Sequence, residues 1–333
     1  MIDVEAANGR TIADIGEFAL IRAVTALLPT AAHVQVGPGD DAAVIAAPDG
    51  RVVATTDVLV ENVHFRRDWS SAYDIGRKAA AQNLADLAAM GSRPRTLLLA
   101  FAAPGTLPVS WATDLARGFA AEAARAGAVV AGGDMARSDA IVLSVTALGD
   151  LEGRPPVLRS GARPGDVVVL AGTTGSSAAG LALLTSGTPA LVDVFADLVA
   201  LHGAPVPSYD AALALAIAGA TSMIDTSDGL SSELCHLADA SGVALQIHPL
   251  FPGVRLMQAA TALSADPREW LLDGGEDHAF LATVPPEVVD ELGRWALPIG
   301  VVAEGSGVTV AGEPISPAGW DHFGGRTDAE GPP

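Results

Sequence analysis

The chain has 333 residues, half of them hydrophobic but only 5% aromatic, with 39 acidic against 19 basic residues and a formal charge of −20. That length exceeds a comfortable single core and fits two domains, and a core built mainly from Ala, Val, Leu and Ile suits an α/β architecture. The charge excludes a nucleic-acid or anionic-membrane partner held by electrostatics, because either needs a basic face.

Asp14-Ile-Gly-Glu17 has capping-box spacing and predicts an amphipathic helix over 14–28, with Phe18, Leu20, Ile21, Val24 and Leu28 on neighbouring rows and Pro29 ending it. Residues 43–46 and 51–56 read as strands paired around Pro48-Asp49-Gly50, which would bring Asp40, Asp41 and Asp57 to strand ends. A helix over 72–90, stopped by Gly91, puts Asn83 and Asp86 on one face. A strand over 95–101, a helix over 109–126 and strands over 128–131 and 141–148 follow. Strands alternating with helices make an α/β or α+β domain.

Residues 151–165, broken by Pro155, Pro156 and Pro164, form the expected boundary, giving domains at 1–150 and 151–326 and a flexible tail at 327–333. Beyond it a strand is expected over 166–170, helices over 176–184, 191–202, 210–218 and 230–240, and short strands over 243–247, 278–284 and 299–302. The most apolar run, 211–224, is too short to span a bilayer, and Met-Ile-Asp-Val-Glu lacks the features of a signal peptide. Cys235 is the single cysteine, so no intrachain disulfide or multi-thiolate metal site is possible, and a reducing, cytoplasmic compartment is the simplest expectation. It reads as a buried helix residue, with nothing cationic beside it to activate a thiolate.

Short acidic signatures punctuate this chain: Gly39-Asp-Asp41, Thr55-Thr-Asp57, Asn83-Leu-Ala-Asp86, Gly132-Gly-Asp134, Asp225-Thr-Ser-Asp-Gly229 and Gly274-Gly-Glu-Asp277. In Ala/Leu/Val-rich surroundings an unpaired carboxylate is expensive to bury, so carboxylates placed beside Gly, Ser and Thr point to a metal. Hard oxygen donors with no cysteine and few histidines select Mg²⁺ or Mn²⁺, which share their sphere with phosphate oxygens and water. Lys78, the only lysine, does not stand in a P-loop, so metals must offset the repulsion between this acidic chain and a polyphosphate.

Singly, each string admits a plainer reading. Asp228 could be the N-cap of the next helix, or it and Asp225 could hold the metal of a phosphate received at that helix N-terminus. Gly132-Gly133-Asp134 could be a turn or a close approach to a ligand. Gly172-Thr-Thr-Gly175 could cradle a phosphate, and His64 could be a structural hydrogen-bonder or a ligand contact. An EF-hand is rejected on spacing, because His236 stands where the bidentate Glu belongs.

Taken in order, these strings resemble the thiamine-monophosphate kinase family of the aminoimidazole-ribonucleotide-synthetase-like superfamily. The resemblance runs from Gly16-Glu-Phe18 through the signatures above, Asn62-Val-His-Phe65 and Arg159-Ser-Gly161 to Trp320-Asp-His-Phe323. It implies a two-domain fold whose N-terminal domain pairs in a homodimeric β-barrel and whose C-terminal domain is α/β, with ATP and substrate in a cleft. It implies ATP-dependent, Mg²⁺-assisted phosphorylation of thiamine monophosphate to thiamine diphosphate, with several magnesium ions per site. By position, Asp41, Thr55, Thr56, Asp57, Asp86, Asp134, Asp225 and Asp228 resemble the magnesium set. Gly133, Asp134, Arg159 and Ser227 resemble nucleotide contacts, and His64, Glu276 and Trp320 substrate contacts. No covalent nucleophile or general base is expected. One departure stands out: the family commonly follows Gly-Gly-Glu-Asp with Tyr-Glu, and here His278-Ala279 follows. The rival readings are a selenophosphate-synthetase-like or cyclase-like enzyme of the same superfamily and a catalytically silent Mg-nucleotide-binding protein. A selenophosphate synthetase would show a reactive Cys or selenocysteine and a Lys near its N-terminus, and neither occurs here.

Overall fold

A computed structural model describes residues 9–37 and 43–320. It divides into two compact units, Met1–Val157 with Gly203–Ile217, and Leu158–His202 with Ala218–Pro333. The chain thus leaves the first unit at Val157 and returns to it for one segment.

The first unit opens with two short helices, α1 (Ile12–Ile15) and α2 (Glu17–Thr25), where one helix over 14–28 was expected. The capping box begins at Thr11, whose hydroxyl accepts from the Asp14 N–H while the Asp14 carboxylate accepts from the Thr11 N–H. Gly16 takes φ 76°, a value that ends α1 and redirects the chain into α2.

Strands β1 (Val34–Val36) and β2 (Val44–Ile45) form their own small antiparallel pair. A four-stranded sheet combines β3 (Val53–Val60), β4 (Arg93–Ala103), β5 (Val129–Arg137) and β6 (Val142–Asp150) in the order β3-β6-β4-β5, with β4 and β5 parallel and the other pairs antiparallel. The hairpin expected between 43–46 and 51–56 is therefore not formed. β2 is too short to hold β3, which finds a partner for its whole length in β6. β5 also runs longer than expected: Gly132-Gly133-Asp134 lies inside it, opposite Leu98, Leu99 and Ala100, and is not a turn.

Helices α3 (Ala72–Ala89) and α4 (Val109–Arg125) pack against each other. Ser71 caps α3 by accepting from the Asp74 N–H, and Gly91 turns the chain out of it with φ 71°. The two helices approach so closely that a Cβ at Gly118 would lie 1.9 Å from the Tyr73 carbonyl oxygen. Burying side chains such as Leu84, Leu115 and Phe119 contributes roughly 1.5–3 kcal/mol each.

In the second unit the chain forms β7 (Val167–Ala171), α5 (Ser176–Thr185), α6 (Pro189–Val194) and α7 (Ala196–Gly203). The helix expected over 191–202 is split at Phe195, whose ring is buried and whose backbone leaves the helical region. The chain then crosses to the first unit for α8 (Tyr209–Ile217). There the Tyr209 hydroxyl donates to Glu122, a fully buried carboxylate of α4 that also accepts from Arg77 and Arg125. Burial pushes the Tyr209 phenol well above its usual range, so it stays a donor.

Returning, the chain forms β8 (Ser222–Asp225), α9 (Leu230–Ser241), β9 (Ala244–Ile247), α10 (Val254–Leu263), α11 (Pro267–Asp273), β10 (Phe280–Val284), β11 (Leu297–Ala303), β12 (Gly307–Val310) and β13 (Glu313–Ile315). Among the described residues this unit forms a seven-stranded sheet in the order β13-β12-β9-β11-β7-β10-β8. Val168, Ile224, Leu230, Leu234, Leu245 and Leu281 form the core between this sheet and α9. Among the described residues no helix is long and apolar enough to cross a membrane.

Candidate active site

Strand alternation sorts the Thr55-Thr-Asp57 signature. Thr55 and Asp57 lie on the half-buried face of β3 that also carries buried Leu59, while Thr56 and Val58 lie on the exposed face. The Thr55 hydroxyl donates to Asp86 Oδ2 at 2.7 Å, and the Asp57 N–H donates to Asn83 Oδ1 at 3.1 Å. The i, i+3 pair of α3 thus meets β3 directly. Asn83 is wholly buried and donates back to the Ala79 carbonyl, which fixes its amide. Thr56 faces away from this group, its hydroxyl given to the Val145 carbonyl.

His64 is held from two sides. Its Nδ1 accepts from the Val60 N–H at 3.0 Å, so the imidazole hydrogen resides on Nε2, and its carbonyl accepts from Lys78 Nζ, a buried ammonium, at 3.0 Å. Gly133 and Asp134 sit on β5, at the opposite edge of the sheet from β3. Three strand spacings put them roughly 14 Å from Asp57. A side chain at Gly133 is sterically barred, because its Cβ would lie 2.0 Å from the Leu99 carbonyl oxygen. Asp40 and Asp41 lie outside the described residues, as do 321–323 and the tail at 327–333.

In the second unit, Asp225 ends β8 and the loop 226–229 leads into α9. Gly229 occupies the N-cap position without a side-chain cap, so Asp228 is not the helix cap. The loop is instead bound to two distant segments. Glu276 N–H donates to the Ser227 carbonyl at 2.7 Å, His278 N–H to the Thr226 carbonyl, and Trp320 N–H to the Asp228 carbonyl at 3.0 Å. Ser227, Asp228, Glu276 and Trp320, widely separated in sequence, are thereby brought together. Arg159 is not drawn into this group: its carbonyl is tied to Ser241 at the far end of α9.

Two acids behave in ways the sequence does not announce. Glu233 is buried in the first turn of α9, where its Oε1 accepts from the Asp228 N–H and its Oε2 has no hydrogen-bond partner. Burial pushes it up to about 8, with the charges of Asp225 and Asp228 adding to the effect. Asp277 is partly accessible as a residue, but its carboxylate is enclosed at the start of α5, accepting from Gly175 N–H at 2.6 Å and Ser177 N–H at 2.9 Å. Burial pushes it up to about 6 despite those two donors. Of the readings open for Gly172–Gly175, the phosphate cradle is not supported, because a protein carboxylate already fills that helix N-terminus.

The residues flanking Asp277 are both left-handed, Glu276 with φ 65° and His278 with φ 52°. Glu276 Oε2 lies 3.5 Å from His202 Nδ1, which also meets the Ser177 hydroxyl at 3.1 Å. His278 Nδ1 lies 3.0 Å from Asp225 Oδ2, both side chains being buried.

No three His, Cys, Asp or Glu side chains among the described residues are gathered closely enough to form a metal cage. Mg²⁺ does not need one, since it is commonly held by one or two carboxylates with phosphate oxygens and water completing the octahedron. The donors present are hard oxygens. The Glu233 oxygen left without a hydrogen-bond partner is a buried hard acceptor on the side chain that binds the Asp228 N–H, which a cation would satisfy, so the residues fit the ion. Glu233, Ser177 and His202 were not singled out in the sequence.

Comparison with known proteins places these features in context. Residues 39–151 match the family model "AIR synthase related protein, N-terminal domain". The chain is 45% identical to the thiamine-monophosphate kinase of Mycobacterium tuberculosis (strain ATCC 25618 / H37Rv), over 96% of this chain and 95% of that one. It superposes on the solved thiamine-monophosphate kinase of Stenotrophomonas maltophilia K279a with a TM-score of 0.78 and 33% identity, covering 90% of this chain and 98% of that one. AaThiL complexed with AMPPCP and TMP gives a TM-score of 0.77 at 33% identity, covering 93% and 98%.

Proposed function

Because the chain belongs to the thiamine-monophosphate kinase family, we propose that it transfers the γ-phosphoryl group of ATP to thiamine monophosphate, giving thiamine diphosphate and ADP. The observation that carries this reading is the 45% identity that extends over 96% of the chain. The chemistry agrees with it. The acceptor is a phosphate monoester with a second pKa of about 6, so its dianion attacks in line without a general base. Catalysis then consists of aligning two anions and offsetting their charge.

In the first unit, Thr55, Asp57 and Asp86 would hold magnesium, Asp86 being oriented by the Thr55 hydroxyl and the Asp57 backbone by Asn83. Thr56 on the other face of β3, Asp134 at the far edge of the sheet and Asp41 are proposed for further ions of the set. In the second unit Asp225 and Asp228 take this role. Bound Mg²⁺ would supply charge neutralisation between phosphate oxygens. Gly133, Asp134, Arg159 and Ser227 are the proposed ATP contacts. His64, Glu276 and Trp320 are the proposed substrate contacts. The Trp320 residue is 56% exposed and would offer an aromatic surface to the cationic thiazolium ring. A cytoplasmic homodimer is part of the same proposal. It rests on the family resemblance alone.

The test is incubation of the purified protein with Mg-ATP and thiamine monophosphate, followed by chromatographic separation of the products. Thiamine diphosphate is expected from the monophosphate and not from free thiamine. No diphosphate, or equal formation from free thiamine, overturns the proposal. Light scattering of the purified chain reads the dimer.

A further inference from the structure

We propose that His278 is a positioning residue for the reaction: its imidazole fixes the carboxylate of Asp225 so that one oxygen is consumed inside the protein and the other is presented to the metal. The inference rests on the reading of Asp225 as a magnesium ligand. It goes beyond that reading because His278 stands where the family commonly has Tyr.

The geometry is specific. A carboxylate only accepts, so the 3.0 Å contact requires the hydrogen on Nδ1, donated to Asp225 Oδ2. Both side chains are buried, which shields this bond from bulk water. The imidazole is brought there by a backbone that would not otherwise favour it. His278 is left-handed at φ 52°, held by donation of its N–H to the Thr226 carbonyl, while the next residue's N–H donates to the Thr226 hydroxyl at 3.0 Å. Asp225 is held equally firmly, as the last residue of β8 and opposite Phe280 of β10. A side chain so fixed at both ends sets the direction of the remaining carboxylate oxygen. Partners that orient metal ligands in this way typically change affinity by about 10–100-fold when removed.

The experiment measures Mn²⁺ binding to the full chain in the presence of AMPPCP, by the electron paramagnetic resonance signal of unbound Mn²⁺, alongside thermal melting and steady-state kinetics. His278→Phe keeps a ring and removes the donor, and His278→Leu is the second donorless variant should the first not fold. His278→Asn restores a donor and tolerates the left-handed backbone. The expected result is Mn²⁺ affinity lowered about 10–100-fold by Phe or Leu and returned to within about 3-fold of wild type by Asn, with an unchanged KM for thiamine monophosphate. Asp225→Asn separates the two ways of failing. If it weakens Mn²⁺ binding while the donorless variants bind normally, the positioning role is overturned and the ligand reading stands. Normal binding by Asp225→Asn overturns the ligand reading and this inference with it.

Discussion

Replacing Asp277 with Asn tests whether the second acid of Gly274-Gly-Glu-Asp277 serves a helix. Its folded pKa of about 6 exceeds the ordinary 3.8 because burial penalises the charge more than the Gly175 and Ser177 N–H groups favour it. A difference of roughly 2.2 units is worth ~3 kcal/mol in total. The sign follows from proton binding: the folded state holds the proton more tightly, so this stability is fully present below pH 3.8 and is lost as the pH rises through about 6. Asn titrates nowhere in this range. It forfeits one of two acceptors at a roughly constant cost of about 1–3 kcal/mol, while the wild type alone carries the pH-dependent loss. The stability gap between the two proteins should therefore move in the variant's favour by about 1 kcal/mol from pH 5 to pH 7. Urea denaturation of both proteins at pH 5, 6 and 7, without added metal, reads it. A gap that stays constant across this range would refute the reasoning, showing that the α5 N-terminus holds Asp277 ionised throughout.

Asp86→Asn should leave the melting temperature near wild type and lower kcat by about 100-fold or more, since the neutral amide keeps shape but not charge; wild-type turnover with unchanged magnesium dependence would remove the metal role. Gly118→Ala should lower the urea midpoint through a cost of about 1–3 kcal/mol or more, because a Cβ there would lie 1.9 Å from the Tyr73 carbonyl oxygen; a wild-type midpoint would show that α3 and α4 can separate without penalty. Tyr209→Phe deletes the 2.9 Å hydrogen bond to Glu122 and should cost about 1.5–3 kcal/mol in denaturation while leaving kcat unchanged, Glu122 keeping its two arginines.

What could be read from the sequence follows a physical division. Helices α3 and α4 were legible because alanine-rich periodicity and end signals agree, as at Gly91. The acidic signatures were legible because carboxylates among small residues are costly unless used. Strand β8 was not, since it lies in the apolar run at 211–224 that also contains most of α8, and a continuous apolar run does not distinguish buried strand from buried helix. Thr11 was overlooked because two capping boxes share the residue Asp14 and only the turn at Gly16 decides between them. The burial of Glu233 and the meeting of His202 with Glu276 depend on tertiary packing, which leaves no local spacing to read.

The consecutive residues Glu276, Asp277 and His278 show why such a motif resists reading as a single device. In an extended strand, alternate side chains would share a face. Left-handed backbone at the two outer positions breaks that rule and lets three neighbours serve three elements. Glu276 reaches His202, Asp277 the amides of α5, and His278 Asp225. Each left-handed residue costs on the order of 1–2 kcal/mol. The bonds from the Glu276 and His278 N–H groups to Ser227 and Thr226 are what sustain it. Two adjacent acids therefore need not be two ligands of one metal: Asp277 is spent on a helix N-terminus, and that expenditure holds the chain in the conformation that presents Glu276 on one side and orients Asp225 on the other.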